Sequence, residues 1–291
     1  MTGSNPASRD ALRTPVALSV LLAAMMGVQA ALGLALRGEY RDAEWIRAAW
    51  YGNDWVTLVV GAPLLVASLL LARGGSIRGL LLWLGMLGYS TYNYLYYLFG
   101  AALNAFLPLY TALVVLAVSA LILALSRIDP AVVAAGFHPR TPARVIGGCL
   151  TAIGTGLACV QFAVWAAYVF AGRPTPIEPE AFKLVAALDT TVMVPALVAG
   201  GVLLWRRRPW GFMISAIAGL QGALYLLVLS VNSVIGFSLG LAQPPGELPL
   251  WAVLGVVTGA ATILLVVMAR AGTAASAAAD RPVDRSATSA R

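Results

Sequence analysis

Between Gly79 and Gly100 the chain reads GLLLWLGMLGYSTYNYLYYLFG. A run of this length and apolarity is read as a membrane-spanning helix, because a bilayer core of roughly 30 Å takes about 20 residues. Its second half, YSTYNYLYYLFG (Tyr89–Gly100), nevertheless carries five of the chain's 10 tyrosines and Asn93. Such rings either anchor a helix at the membrane surface or line a polar interior.

The rest of the chain supports the membrane setting. Of 291 residues, 60% are hydrophobic and 11% charged, more apolar surface than a soluble domain can hide. Eight segments meet or approach spanning length: 15–36, 55–72, 79–100, 105–125, 145–171, 184–205, 211–237 and 248–269. The expected fold is an all-α membrane bundle of eight transmembrane helices. The 15–36 run is longer than a signal-peptide core and no small-x-small cleavage site comes after it, so it reads as a retained helix.

Basic residues set the orientation. With the N-terminus in the cytoplasm, the inner segments hold Arg9, Arg13, Arg73, Arg78, Arg127, Arg140, Arg144, Arg206, Arg207, Arg208, Arg270, Arg281, Arg285 and Arg291. The outer side holds Arg37, Arg41, Arg47, Arg173 and Lys183. This bias predicts both termini cytoplasmic. The net charge of +7 is then a topology signal. Nucleic acid is not an expected partner, since the basic residues lie in short loops and tails with little aromatic interleaving; the expected partner is the lipid bilayer. Oligomeric state is left open.

Internal matches suggest a duplicated unit. VQAA at Val28–Ala31 matches VQFA at Val160–Ala163, and PLLVA at Pro63–Ala67 matches PALVA at Pro195–Ala199, each 132 positions apart. Gly79 and Gly211 share that offset. LPLY at Leu107 matches LPLW at Leu248 at offset 141, the extra nine residues falling where GLAQPPGE (240–247) lengthens a loop. The expected organisation is a cytoplasmic tail 1–14, a four-helix unit 15–125, a cytoplasmic linker 126–144, a second unit 145–270 and a disordered Ala/Ser/Arg-rich tail 271–291. Four helices per unit is even, so the two repeats are parallel. Such a repeat either makes a stable bundle or encloses a cavity between its halves.

Strongly polar side chains gather in the outer halves of the spans: Gln29, Tyr89, Tyr92, Asn93, Tyr96, Gln161 and Asn232, with Asp54 and Asp189, and Gln221 nearer the middle of its span. These ten are the candidate ligand-binding residues. At about 100° per residue, Tyr89, Tyr92, Asn93 and Tyr96 share a face, with Tyr97 at its edge and Tyr94 nearly opposite. The 89/92/93/96 face is expected to be an interior wall, and Tyr94 and Tyr97 a surface belt. Asp54 and Asp189 are expected to open inward-running helices, as N-caps or as a paired acidic mouth; no charged side chain is expected in mid-membrane. Glu39–Asp54, with Trp45, Ile46, Ala49 and Trp50 on one face, is expected to lie along the outer membrane surface.

Several chemistries lack their residues. His138 is the single histidine, so bis-histidine haem and histidine-rich zinc sites are excluded. Cys149 and Cys159 form no C-x-x-C and read as buried free thiols. No glycine-rich phosphate loop, Ser–His arrangement or carboxylate pair appears. No catalytic residue, metal or cofactor is expected.

WYGNDWVTLVVGAPLL (50–65), the tyrosine-rich third span and GGVLLWRRRPWG (200–211) resemble bacterial multi-pass membrane proteins of no assigned activity. The resemblance implies a bacterial cell (inner) membrane location and supplies no site residues. Two functional readings compete. One is a carrier or permease-like protein holding a small polar or amphipathic ligand in an outward-facing cavity between the repeats. The other is a non-catalytic scaffold, accessory subunit or sensor, whose polar residues join helices.

Overall fold

The computed structural model describes residues 12–270 except Ala242. The tail 271–291 and most of the tail 1–14 lie outside the described residues. Nine helices make up the described chain: α1 (Arg13–Ala35), α2 (Glu44–Arg73), α3 (Ile77–Gly100), α4 (Leu107–Leu125), α5 (Pro130–Ala135), α6 (Ala143–Ala171), α7 (Pro179–Trp205), α8 (Pro209–Ser238) and α9 (Leu248–Val267). Seven are long and apolar enough to cross a membrane, which makes this a multi-pass membrane protein. The seven are α1, α2, α4, α6, α7, α8 and α9.

The eighth expected span, α3, has 24 residues but is not apolar enough to join them. Packing explains its composition. α3 packs against α2, α4, α8 and the start of α7, so most of its side chains meet protein, and an open side remains at Thr91, Leu95, Leu98 and Phe99. Tyr94 and Tyr97 are fully buried, against the expected surface belt, and Tyr96 is the more open position. A helical wheel gives the angle of each side chain but not the number of neighbouring helices.

α1 packs on α2 and α4, and α3 on α2 and α4, so α1–α4 form one four-helix set. In α6–α9, α7 packs on α6 and α8, and α9 on α8. The sets meet where α2 and α3 pack on α8. Ring contact between Tyr92 and Tyr225, with centroids 5.2 Å apart, fixes the α3–α8 crossing.

α2 and α7 share an irregularity. Each carries a π-turn, Thr57–Gly61 and Asp189–Met193, two residues ahead of Pro63 and Pro195. A proline ring crowds the carbonyl four residues back and brings no N–H. Widening the helix relieves the crowding: Ala62 N–H donates to the Thr57 carbonyl and Val194 N–H to that of Asp189, five residues back in each case. The close approach of the next helix repeats as well. A Cβ on Gly79 would lie 2.5 Å from Ala72 N and Leu71 C, and one on Gly211 would collide with Leu204 N and Leu203 C.

Three further expectations are corrected. α2 begins at Glu44, so residues 44–54 are its first turns, and they pack on α8 instead of forming a separate surface helix. Trp50 there is 1% exposed. Asp54 and Asp189 cap nothing, because each sits ten residues beyond its helix start, at Glu44 and Pro179. That is about 15 Å along the axis. Cys149 is half-buried, beside the buried Gly147–Leu150 stripe, and Cys159 is exposed, because α6 beyond Gly154 is buried in the bundle only through Gln161.

At the end bearing the arginine-rich loops, side chains tie the helices together. Arg78 Nε donates to the Ala269 carbonyl (2.7 Å) and its Nη2 to that of Val267 (2.8 Å). The cation thereby meets the carbonyl end of α9, where positive charge is favoured. Arg207 Nη2 reaches the Thr141 carbonyl (2.8 Å).

Candidate functional site

Asp54 is 0% exposed and accepts three hydrogen bonds. Gln29 Nε2 (α1) donates to Oδ1 at 3.0 Å and Tyr97 OH (α3) to the same oxygen at 2.8 Å. Tyr40 OH, from the α1–α2 loop, donates to Oδ2 at 2.6 Å. Tyr94 OH donates to Gln29 Oε1 (3.3 Å), completing a network around the carboxylate. Gly33 makes room for it, since a Cβ there would collide with Asp54 Oδ2 and the Tyr40 hydroxyl. Trp50 and Tyr110 cover the network, stacked on Tyr97 with centroids 4.8 and 5.1 Å away.

Asp189 has a thinner set of partners. Gln161 Nε2 donates to Oδ2 at 2.7 Å and Tyr92 OH to Oδ1 at 2.5 Å. Gln29 and Gln161 stand 132 positions apart, so matching glutamines hold a carboxylate in each set. α3 supplies a tyrosine to both, Tyr97 to its own set and Tyr92 to the other. The Asp189 site has no counterpart of Tyr40. No cationic side chain among the described residues pairs with either carboxylate. The two are therefore separate interior sites, not the acidic mouth that the sequence allowed. Each could take a proton or a cation; charge at membrane depth is costly without such a match.

Tyr89, Asn93 and Gln221 are buried. The Tyr89 and Thr57 hydroxyls lie together, and Asn93 Nδ2 and Gln221 Nε2 have no hydrogen-bond partner among the described residues. Gln221 lies beside Gly88 and the Tyr89 ring beside Gly61. Asn232 packs where Gly52 leaves space, and its amide, turned so that the nitrogen faces the two acceptors, donates to the Ala49 carbonyl (3.1 Å) and to that of Val228 (3.2 Å).

A groove of about 640 Å³ opens at the end opposite the arginine-tied loops. Its walls come from both sets: the start of α2 (Trp45, Ile46, Trp50), the end of α3 (Tyr96, Phe99, Gly100) and the α6–α7 loop with the first turns of α7. Of the ten candidate residues, Tyr96 lines it. A second depression, between α5 and the start of α8, is open and lies on the rim of one set.

The structure thus joins Gln29 to Asp54 and Gln161 and Tyr92 to Asp189, puts Gln221 and Asn232 where the sets meet, and leaves Tyr89 beside Gly61 and Asn93 buried on α3. Sequence reasoning missed Tyr40, Thr57, Tyr110 and Tyr225. Thr57 was findable, because it stands 132 positions before Asp189. Tyr40 sits in a short loop with no periodicity to mark it. Among the described residues, no three His, Cys, Asp or Glu gather as a metal site. No family model, curated protein or solved structure matches the chain.

Proposed function

We propose that the protein is a carrier or permease-like protein of the bacterial cell (inner) membrane, and that it binds a small polar or amphipathic ligand in the groove between two parallel four-helix repeats. α3 is the eighth span in this reading, since it joins two helices of membrane length. Both termini are cytoplasmic, as the basic residues require. The matched π-turns, prolines, glutamines and glycine approaches at one offset support the duplication. The observation that carries the ligand reading is the groove itself: it lies between the sets, at the end that charge assigns to the outside, and is large enough for a small organic molecule.

A second reading, a scaffold, accessory subunit or sensor, draws support from the Asp54 network, whose partners all come from neighbouring elements of the same set. An enzyme is not supported by any acid–base pair.

Cysteine accessibility separates the first two. Cys149 and Cys159 are replaced by alanine, and single cysteines are placed at Tyr96, Ala187 and Tyr94. A membrane-impermeant maleimide added outside should label positions 96 and 187, which line the groove, and spare position 94, which is 0% exposed. A bound ligand should protect 96 and 187. Labelling of these two from the cytoplasmic side alone refutes the outward groove. Failure of every compound in a broad chemical library to protect them favours the scaffold.

A further inference from the structure

Resting on the groove as the ligand site, we propose that its ligand is an amphipathic organic cation, a positive charge carried on an aromatic or aliphatic body. The walls suit the body. Trp45, Trp50, Tyr96 and Phe99 line the groove with Leu184 and Leu188, and Trp50 and Tyr96 lie with ring centroids 4.9 Å apart. Aromatic faces also attract a cation within about 6 Å of the ring.

The charges suit the head. The ionisable side chains of the lining are Glu178, Glu180 and Lys183. Lys183 is engaged by Glu180 at 3.3 Å, which leaves Glu178 as the uncompensated charge. The groove therefore carries one net negative charge.

The interior behind the groove holds acids and no bases. Among the described residues, the buried acidic side chains are Asp54 and Asp189, with no buried Lys, Arg or His. Leu188 and Thr191, on the groove wall, flank Asp189 in the chain, and Tyr96 stands one turn above Tyr92, which donates to Asp189. A cation meets the Glu178 carboxylate at the mouth, with an acid and no base behind the wall. Among the lining residues an anion meets only Lys183, which Glu180 engages.

The test uses two ions of one shape and opposite charge, tetraphenylphosphonium and tetraphenylborate. The full-length protein is titrated by calorimetry in phosphatidylcholine nanodiscs, and empty nanodiscs define partition into lipid. The phosphonium ion should show saturable binding at least about ten-fold tighter than the borate. Glu178→Gln should weaken it about three- to five-fold. Ala187→Trp, at an exposed position on the groove wall, should abolish it. Equal binding of the two ions, removed by Ala187→Trp, overturns the cation assignment and leaves a ligand site in the groove. Phosphonium binding that survives both substitutions overturns the assignment to this groove. Saturable binding of neither ion also overturns the cation assignment, and the groove is then judged by the cysteine protection assay alone.

Discussion

Tyr92→Phe should destabilise the protein more than Tyr97→Phe, although both remove one hydroxyl from one buried carboxylate. Tyr97 donates to Asp54 at 2.8 Å, and its loss leaves that carboxylate with Gln29 on one oxygen and Tyr40 on the other. Tyr92 donates to Asp189, and its loss leaves Oδ1 with no donor, since Gln161 binds Oδ2. A net hydrogen bond to a charged group is worth about 1.5–3 kcal/mol in soluble proteins. Interhelical bonds in a membrane bundle average about 0.6 kcal/mol, with a maximum of about 1.7 kcal/mol. Tyr97→Phe, with two donors retained, is placed at about 1 kcal/mol. Tyr92→Phe, which strands an oxygen, is placed at about 2 kcal/mol. The ring contacts with Trp50, Tyr110 and Tyr225 can persist in both variants, so packing loss does not confound the comparison. Reversible unfolding in dodecyl sulfate–maltoside mixed micelles, followed by tryptophan fluorescence, reads the difference. Equal destabilisation, or the reverse order, refutes the argument that donor number sets the cost. A double-mutant cycle of Tyr92→Phe with Asp189→Asn should recover a coupling of about 1 kcal/mol or more.

Gly79→Ala and Gly211→Ala should each cost stability or force their helices apart, because the added Cβ meets backbone atoms. Gly156→Ala, where a Cβ meets nothing within 4 Å, should be neutral or stabilising by about 0.5–1 kcal/mol in the same unfolding assay. Reporter fusions after Leu36 and after Leu125 should lie on opposite sides of the membrane, and fusions after Gly75 and after Leu103 should do so across α3; same-side signals from the second pair would remove α3 as a span.

The apolar segments are legible in the sequence because long hydrophobic runs have few alternatives, and seven of the eight recur as membrane-length helices. Their ends are less so. Hydropathy starts α2 at residue 55 because Glu44, Arg47, Asn53 and Asp54 break its apolarity, yet α8 packs against those turns, and Trp50 is buried against Tyr40, Tyr96 and Tyr97. Gln29 and Gln161 stand out as polar residues 132 positions apart, but their partners depend on how α1 and α6 face α2 and α7. A single inward wall would leave Tyr94 and Tyr97 at the surface. In the structure the side of α3 that carries Tyr94 and Tyr97 also faces inward, and the open side carries Thr91, Leu95, Leu98 and Phe99. The groove is legible only as a place between repeats, since its aromatic walls come from helix ends far apart in sequence.

The two π-turns bear on how such a chain changes over time. A π-turn holds one residue more than a regular helix needs, so it behaves as a retained insertion. An extra residue kept in plain α-geometry would rotate the preceding helix by about 100° relative to the turns beyond it, and the widened turn absorbs that rotation. Deleting one residue from Thr57–Gly61 would restore a plain helix anchored by Pro63 and leave Asp54 facing Gln29, Tyr40 and Tyr97. Here the chain can gain or lose a residue without re-aiming a carboxylate. Asp54 precedes its turn by three residues, whereas Asp189 opens its own. Where helix length can change in this way, two side chains doing the same work need not occupy the same column of an alignment.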